Sequence, residues 1–249
     1  MEWFARWFDD DYKRLYPHRD EAQALEQVDS LLRVAASFAP QGLAGIANAL
    51  DVGCGAGRHL RALRARGLSA VGIDLSAVLL LDARRDPRGV ISPVVRADMR
   101  RLPFGDDRFD LVACFFTTFG YFDSHEEDLH SLRELRRVAR PSGLVFLDLP
   151  NAAVVRRDLV ASERIESQGL RAEITRRLEG DLVIKRIRIL RTEGEAIHEE
   201  RVRLYERENL GASLGRLGFS VAAILGDERG GAYDPESSPR MSLLLRRDA

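Results

Sequence analysis

Cysteine is scarce in this chain: Cys54 and Cys114 are the only two among 249 residues. Two cysteines make no disulfide framework, and nothing near them has the spacing of a zinc site. No metal is expected, and a reducing, cytoplasmic setting fits. Lysine is equally rare. Lys13 and Lys185 are the only lysines among 38 basic residues, so arginine carries nearly all the positive charge. Neither sign of charge dominates. The formal net charge of -1 argues against a protein built to coat nucleic acid or anionic membrane. No apolar run approaches the ~20 residues of a membrane span. The start, MEWFARWFDDDYKRLY, is aromatic and acidic, not basic and then apolar, so no signal peptide is expected. Internal repeats and low-complexity tracts are also absent. What remains is a 45% hydrophobic chain, long enough for one large domain or for one domain carrying an insertion.

Trp3, Phe4, Trp7, Phe8, Tyr12 and Tyr16 recur at i, i+4 spacings, which predicts an aromatic stripe on a helix over 1–16. A second helix is predicted over 21–38, and Pro40 and Gly42 then break the chain. Short apolar runs alternate with helical patterns from there. Strands are predicted over 46–52, 70–73, 94–97, 109–116 and 144–149, with helices over 57–66, 76–85 and 125–139. Such alternation implies right-handed crossovers and a mostly parallel sheet. Past Asn151 the texture changes. Turn signals at Gly180-Asp181 and Glu193-Gly194 predict three antiparallel strands over 172–178, 182–190 and 196–205. Ile184 and Ile187 have opposite parity, so a bulge or a two-sided strand is expected there. A helix over 208–217 and strands over 221–225 and 241–245 close the chain, joined by the loop GDERGGAYDPESSPR.

The stretch LDVGCGAGRHL packs Gly53, Gly55 and Gly57 into five positions after the first predicted parallel strand. In an open parallel sheet, ligands bind at the carboxyl ends of strands where the order reverses. Glycines there permit a sharp turn and a close approach to backbone amides. A dinucleotide fingerprint would need G-x-G-x-x-G, but Arg58 holds its last position and Gly57 comes one residue early. Asp51 stands two residues before Gly53, awkward beside a pyrophosphate and suited to an ammonium group. A nicotinamide-dependent dehydrogenase is disfavoured on both counts. Asp74 ends the next strand in VGIDLS, 21 residues after Gly53, close to the spacing at which a carboxylate meets ribose hydroxyls. Asp98 ends the third strand in RADM, where it suits an adenine amino group, with the Met99 amide near a ring nitrogen. The ligand so described has an adenosine, an amino-acid tail and no phosphate.

On these residues the chain resembles the class I S-adenosylmethionine-dependent methyltransferases. LDVGCGAG is similar to their first motif, VGIDLS to their acidic second strand end, and RADMRRLPF to their adenine segment. FDLVACFF and LRELRRVARPSGLVFLDLP are similar to their fourth strand and to their helix and fifth strand. The resemblance is close over 50–150 and loose afterwards. It implies a Rossmann-like, mostly parallel seven-stranded α/β sheet with helices on both faces, and a three-stranded antiparallel insertion after the fifth strand. The expected domains are an N-terminal helical lid (1–40), a cofactor-binding domain (41–151 with 206–249) and a β cap (152–205). The implied cofactor is S-adenosyl-L-methionine. By the resemblance Gly53, Gly55 and Gly57 line it, Asp74 binds its ribose, Asp98 and Met99 hold its adenine, and Asp51 orients its ammonium. Cys54, Arg58, Leu75, Phe115 and Arg19 are further expected neighbours. The family's Asn/Asp-Pro-Pro-Tyr/Phe amide-methylating motif is replaced here by FFTTFGYF, which disfavours methylation of adenine or of glutamine-type amides.

Methyl transfer from a sulfonium is an in-line displacement with a good leaving group, so positioning and desolvation supply most of the acceleration. Aromatic faces beside the methyl suit a cationic sulfonium or amine. Tyr121, and Tyr12 or Tyr16 from the lid, are expected to bracket the reacting atoms. His125, at the start of its helix, is a candidate neutral base. His18 is a possible lid residue, while His59 is read as helix packing and His198 as solvated. Arginine pairs such as Arg136-Arg137 and Arg176-Arg177 have acids nearby and read as solvated faces. The expected activity is methyl transfer to a small-molecule N or O nucleophile. An RNA or protein methyltransferase and a non-catalytic cofactor-binding subunit are the alternatives. No membrane or nucleic-acid partner is expected, and a homodimer is compatible with the sequence.

Overall fold

In the computed structural model, which describes residues 2–17, 20–85, 91–191 and 194–248, the aromatic N-terminal stripe forms two helices instead of one. α1 (Phe4–Trp7) stops at Phe8, and α2 (Asp10–Leu15) starts afresh because the Asp9 carboxylate caps it, accepting from the amides of Asp11 and Tyr12. The stripe is divided between two cores, and the division already falls within α1. Phe4 joins the core of the main sheet, whereas Trp7, Leu15 and Tyr16 pack on a second sheet. α3 (Glu21–Ala35) follows, capped by Asp20, and then a short extended segment, β1 (Pro40–Leu43).

The alternating core comes next: β2 (Asn48–Val52), α4 (Arg58–Ala65), β3 (Ser69–Asp74), α5 (Ala77–Arg84), β4 (Val94–Arg96), β5 (Phe109–Cys114), α6 (His125–Val138) and β6 (Ala139–Pro150). The insertion comprises α7 (Ala152–Arg157), β7 (Ser162–Ser167), β8 (Leu170–Glu179), β9 (Leu182–Arg191) and β10 (Gly194–Arg203). Then α8 (Arg207–Arg216), β11 (Phe219–Leu225) and β12 (Arg240–Arg247) close the fold. Seven strands form the main sheet in the order β11-β12-β6-β5-β2-β3-β4, all running in one direction except β12, which is antiparallel to both of its neighbours. Both faces of its centre are covered. Leu50, Val52, Val112 and Cys114 point into one buried cluster, and Ala49, Leu111, Ala113 and Phe115 into the other. That two-sided burial is why β5 reads as an unbroken apolar run. Strand order reverses between β2 and β5, so the crevice expected at their carboxyl ends lies beyond Val52 and Cys114.

The insertion is a separate antiparallel sheet of four strands, β10-β9-β8-β7, one more than expected. The extra strand, SERIES, carries little β-branched or aromatic signal and only half-buries alternate residues. Its register with β8 is set by a two-residue turn, Gln168-Gly169, with φ +46° and +75°, the geometry of a type I′ hairpin. Ile184 and Ile187 are both buried with an unbroken register along β9, so the strand is two-sided and unbulged. The two lysines fasten the N-terminal helices. Lys13 in α2 pairs with Asp82 of α5, and Lys185 in β9 bonds the Tyr16 hydroxyl and pairs with Glu200 at 3.3 Å. Among the described residues no helix is long and apolar enough to cross a membrane.

Candidate active site

A cavity opens at the carboxyl ends of β2, β3, β4 and β5, roofed by α1 and α2. From the β2 end, Gly53, Cys54, Gly55, Ala56 and Arg58 line it. Gly53 has φ +70°, and a Cβ built there would stand 2.2 Å from the Thr118 γ-methyl. The close approach that this glycine permits is therefore first of all to the loop after β5. Gly57 has φ +82° at the N-cap of α4, and a Cβ built there would stand 3.0 Å from the Ala83 methyl of α5. It does not line the cavity as expected; it lets two helices pack.

Asp74 closes the first link between strand tips. Its Oδ2 accepts the Gly55 amide at 2.8 Å and its Oδ1 the Ser76 amide at 2.8 Å. A carboxylate has about four acceptor positions, so it retains capacity for two hydroxyls. Burial raises its pKa. Leu75, Asp98 and Met99 line the cavity beside it. The Asp98 carboxylate is bound on both oxygens by Arg100, which also reaches Glu2 and Glu127. Those bonds hold the Asp98 pKa low against the opposing effect of its burial. An adenine amino group would share Asp98 with Arg100, a competition that strand-tip spacing does not reveal.

Asp51 is 1% exposed and lies behind the cavity wall instead of in it. Its pKa is raised to about 7, first by burial and then by the Asp74 charge. Its Oδ2 has no hydrogen-bond partner. A buried orphan acceptor below the glycine loop is a place for a cation, and it accords with a ligand that carries an ammonium group.

The remaining wall is aromatic. Phe4, Phe8, Tyr12, Phe115, Phe116, Tyr121 and Phe122 line it with Thr118. Tyr121 stacks on Phe8 at 6.0 Å and meets the edge of Trp3 at 4.8 Å. Tyr12 and Tyr121 are thus brought together as expected, but two other candidates are not. Tyr16, one turn beyond Tyr12, is buried against the four-stranded sheet beside Lys185, because the end of α2 packs on β7 and β8. His125 lies outside the cavity, with its Nδ1 3.1 Å from the Tyr205 hydroxyl. Arg19 and His18 fall outside the described residues. His59 does line the cavity, stacked on Phe115 at 4.1 Å, and burial drives its pKa down. His198 is only half-exposed: it packs on Trp7 at 4.4 Å, and its Nε2 is buried without a hydrogen-bond partner. Phe4, Phe8, Thr118 and Phe122 carried no motif. Only proximity to a recognised strand end or to the stripe could have flagged them.

Beyond β5 the backbone is strained. Phe116 and Thr117 have φ +54° and +61°, positions that are unfavourable for non-glycine residues by ~1–3 kcal/mol each. Among the described residues no group of three or more His, Cys, Asp or Glu side chains is placed to hold a metal.

Comparison with known proteins agrees with this geometry. Residues 49–143 match the family described as methyltransferase domain, and that segment carries β2 through β5 and the start of β6. The fold is that of the S-adenosylmethionine-dependent methyltransferases. A structure of such an enzyme from Clostridium acetobutylicum superposes with a TM-score of 0.79 over 96% of this chain and 97% of its own, at 15% identity. The cypemycin N-terminal methyltransferase of a Streptomyces species is 36% identical over 110 residues, 43% of this chain and 44% of that protein. The dTDP-3-amino-3,6-dideoxy-alpha-D-glucopyranose N,N-dimethyltransferase of Streptomyces fradiae is 35% identical over 103 residues, 41% and 39% of the two chains. The match spans less than half the length of either relative.

Proposed function

We propose that this chain is an S-adenosylmethionine-dependent methyltransferase acting on a nitrogen or oxygen nucleophile of a small molecule. One observation carries the reading. Glycine amides, a ribose-type carboxylate and an adenine-type acid converge on a single cavity from three successive strand tips, and an orphan carboxylate lies beneath them. When bound, S-adenosylmethionine supplies an electrophilic methyl group on a sulfonium. Asp74 orients two hydroxyls while fixing the Gly55 amide, and Asp51 sits below the cationic end. Tyr12, Phe8 and Tyr121 exclude water from the transfer path, and their faces favour positive charge. Their hydroxyls, on Tyr12 and Tyr121, hold the acceptor's nucleophile in line.

The names of the two relatives give an N-terminus and an amino sugar as acceptors, and both accord with an aromatic, acidic pocket. An RNA acceptor is not favoured. Paired arginines such as Arg137, Arg177 and Arg247 are bound to Glu134, Glu179 and Asp107. In this reading residues 1–40 and 152–205 form the cover over the site. Calorimetric titration with S-adenosylhomocysteine tests the proposal. Saturable binding is expected, weakened about a hundredfold by Asp74→Ala, as loss of charge-assisted bonds of ~1.5–3 kcal/mol each implies. Binding of NAD in place of adenosylhomocysteine would overturn it.

A further inference from the structure

Phe116 and Thr117 stand consecutively in the left-handed region although neither is glycine and threonine is β-branched. Such a turn persists only where its surroundings over-determine it. Here the surroundings are one buried carboxylate and its partners. Asp148 in β6 is 5% exposed. Its Oδ2 accepts the Phe116 amide at 2.9 Å, and its main-chain carbonyl accepts the Thr117 amide at 2.9 Å. From β12, the Arg240 Nε and the Ser242 hydroxyl both donate to Oδ1 at 2.8 Å, and Ser242 lies directly opposite Asp148 in the antiparallel register. The other end of the Arg240 guanidinium donates to the Thr117 hydroxyl at 2.9 Å and to the Asp148 carbonyl at 3.1 Å.

The turn forms part of the site wall. The Phe116 ring has two guanidinium groups over it, Arg58 at 5.2 Å and Arg240 at 5.8 Å from its centroid. Thr118, the next residue, fills the space that a Cβ on Gly53 would take. Any movement of the turn therefore moves the glycine loop and the aromatic wall together. A carboxylate in a strand buried on both faces is a poor choice for stability alone, since apolar residues of similar size usually serve as well or better.

We propose that Asp148, Arg240 and Ser242 are positioning residues of the methyl-transfer site, which force the Phe116–Thr117 turn into its left-handed form and so seat Phe116 and Thr118 against the cofactor. The role rests on the methyltransferase reading, but the pinning itself does not.

The test uses the full chain and two readouts. In Asp148→Asn, adenosylhomocysteine affinity is expected to fall about tenfold or more. The amides of Phe116 and Thr117 should lose protection from hydrogen exchange while those of Leu111 to Ala113 in β5 keep it. Adding Thr117→Gly should recover most of the lost affinity, because glycine holds a positive φ without support. A purely structural role for Asp148 predicts no such recovery. Unchanged protection at Phe116 and Thr117, unchanged affinity despite lost protection, or a loss that glycine does not repair would each overturn the proposal. Arg240→Lys, which keeps the charge and loses the forked contact, gives the same readouts should Asp148→Asn not fold. If the unaltered chain binds no adenosylhomocysteine, the cofactor reading fails, and exchange at the two amides still decides whether Asp148 pins the turn.

Discussion

Asp51 and Asp74 are both buried acids below one glycine loop, yet their surroundings differ. Asp74 is stabilised by two backbone amides, whereas one oxygen of Asp51 has nothing. With its pKa raised from 3.8 to about 7, folded Asp51 keeps a proton that the unfolded chain has already lost over that interval. Its contribution to stability is therefore full below about pH 4, declines as pH rises to about 7, and is flat above. Asp51→Asn should remove this slope. Urea unfolding at pH 5 and pH 8 should show the variant gaining on the unaltered chain at the higher pH. Ligand binding has the opposite sign. An ammonium group near Asp51 favours its ionised form, so adenosylhomocysteine affinity should rise between pH 6 and pH 8, with proton release visible as buffer-dependent heats. The asparagine variant should show neither effect. The acids themselves were legible in the sequence because strand ends are marked by apolar runs and the acids follow at fixed spacing. Their partners were not legible. Nothing local indicates that Glu2 and Glu127 would gather on the Arg100 that binds Asp98, or that Thr118 would stand against Gly53.

At the scale of elements, the parallel strands and their helices were read within a few residues, since two-sided burial writes long apolar runs. The N-terminal segment and the insertion were read less well. A local cap at Asp9 split the one helix expected from the i, i+4 stripe, and Trp7 and Tyr16 pack on the second sheet. β7 escaped because an edge strand with one half-buried face carries little hydrophobic signal. The helix pair that results is bonded to the second sheet through Trp7, Asp11, Arg14 and Tyr16, and to the main domain on the cavity side through a further set. The Ser76 hydroxyl donates to the Phe8 carbonyl at 2.6 Å, Lys13 pairs with Asp82, and the Trp3 indole donates to the Tyr121 carbonyl at 3.3 Å. Removing one should loosen the cover without disturbing the strand tips. Lys13→Met is expected to speed adenosylhomocysteine dissociation several-fold and leave association nearly unchanged. Stopped-flow tryptophan fluorescence measures both rates.

Across the whole molecule, the two sheets are joined at Arg203, the last residue of β10. Its amide donates to the Gly120 carbonyl at 2.8 Å, and its side chain reaches Asp128 at 3.0 Å, Asp181 and the Asp123 carbonyl. Asp128 is fully buried and also accepts from Tyr205 at 2.7 Å. Truncating one partner of such a pair leaves an uncompensated interior charge, so Arg203→Met should lower unfolding free energy by about 3 kcal/mol. Asp181, more than half exposed, should matter far less: Asp181→Asn is expected to change it by under about 1 kcal/mol. Denaturant titration of the two variants separates these outcomes. The scarcity of lysine has a practical consequence on the same scale. Both side-chain amines of the chain are engaged where the helix pair docks, one on each flank. An acylating reagent should therefore modify Lys185, whose side chain is 14% exposed, more slowly than Lys13, at 31%, and the difference should shrink as the roof lifts.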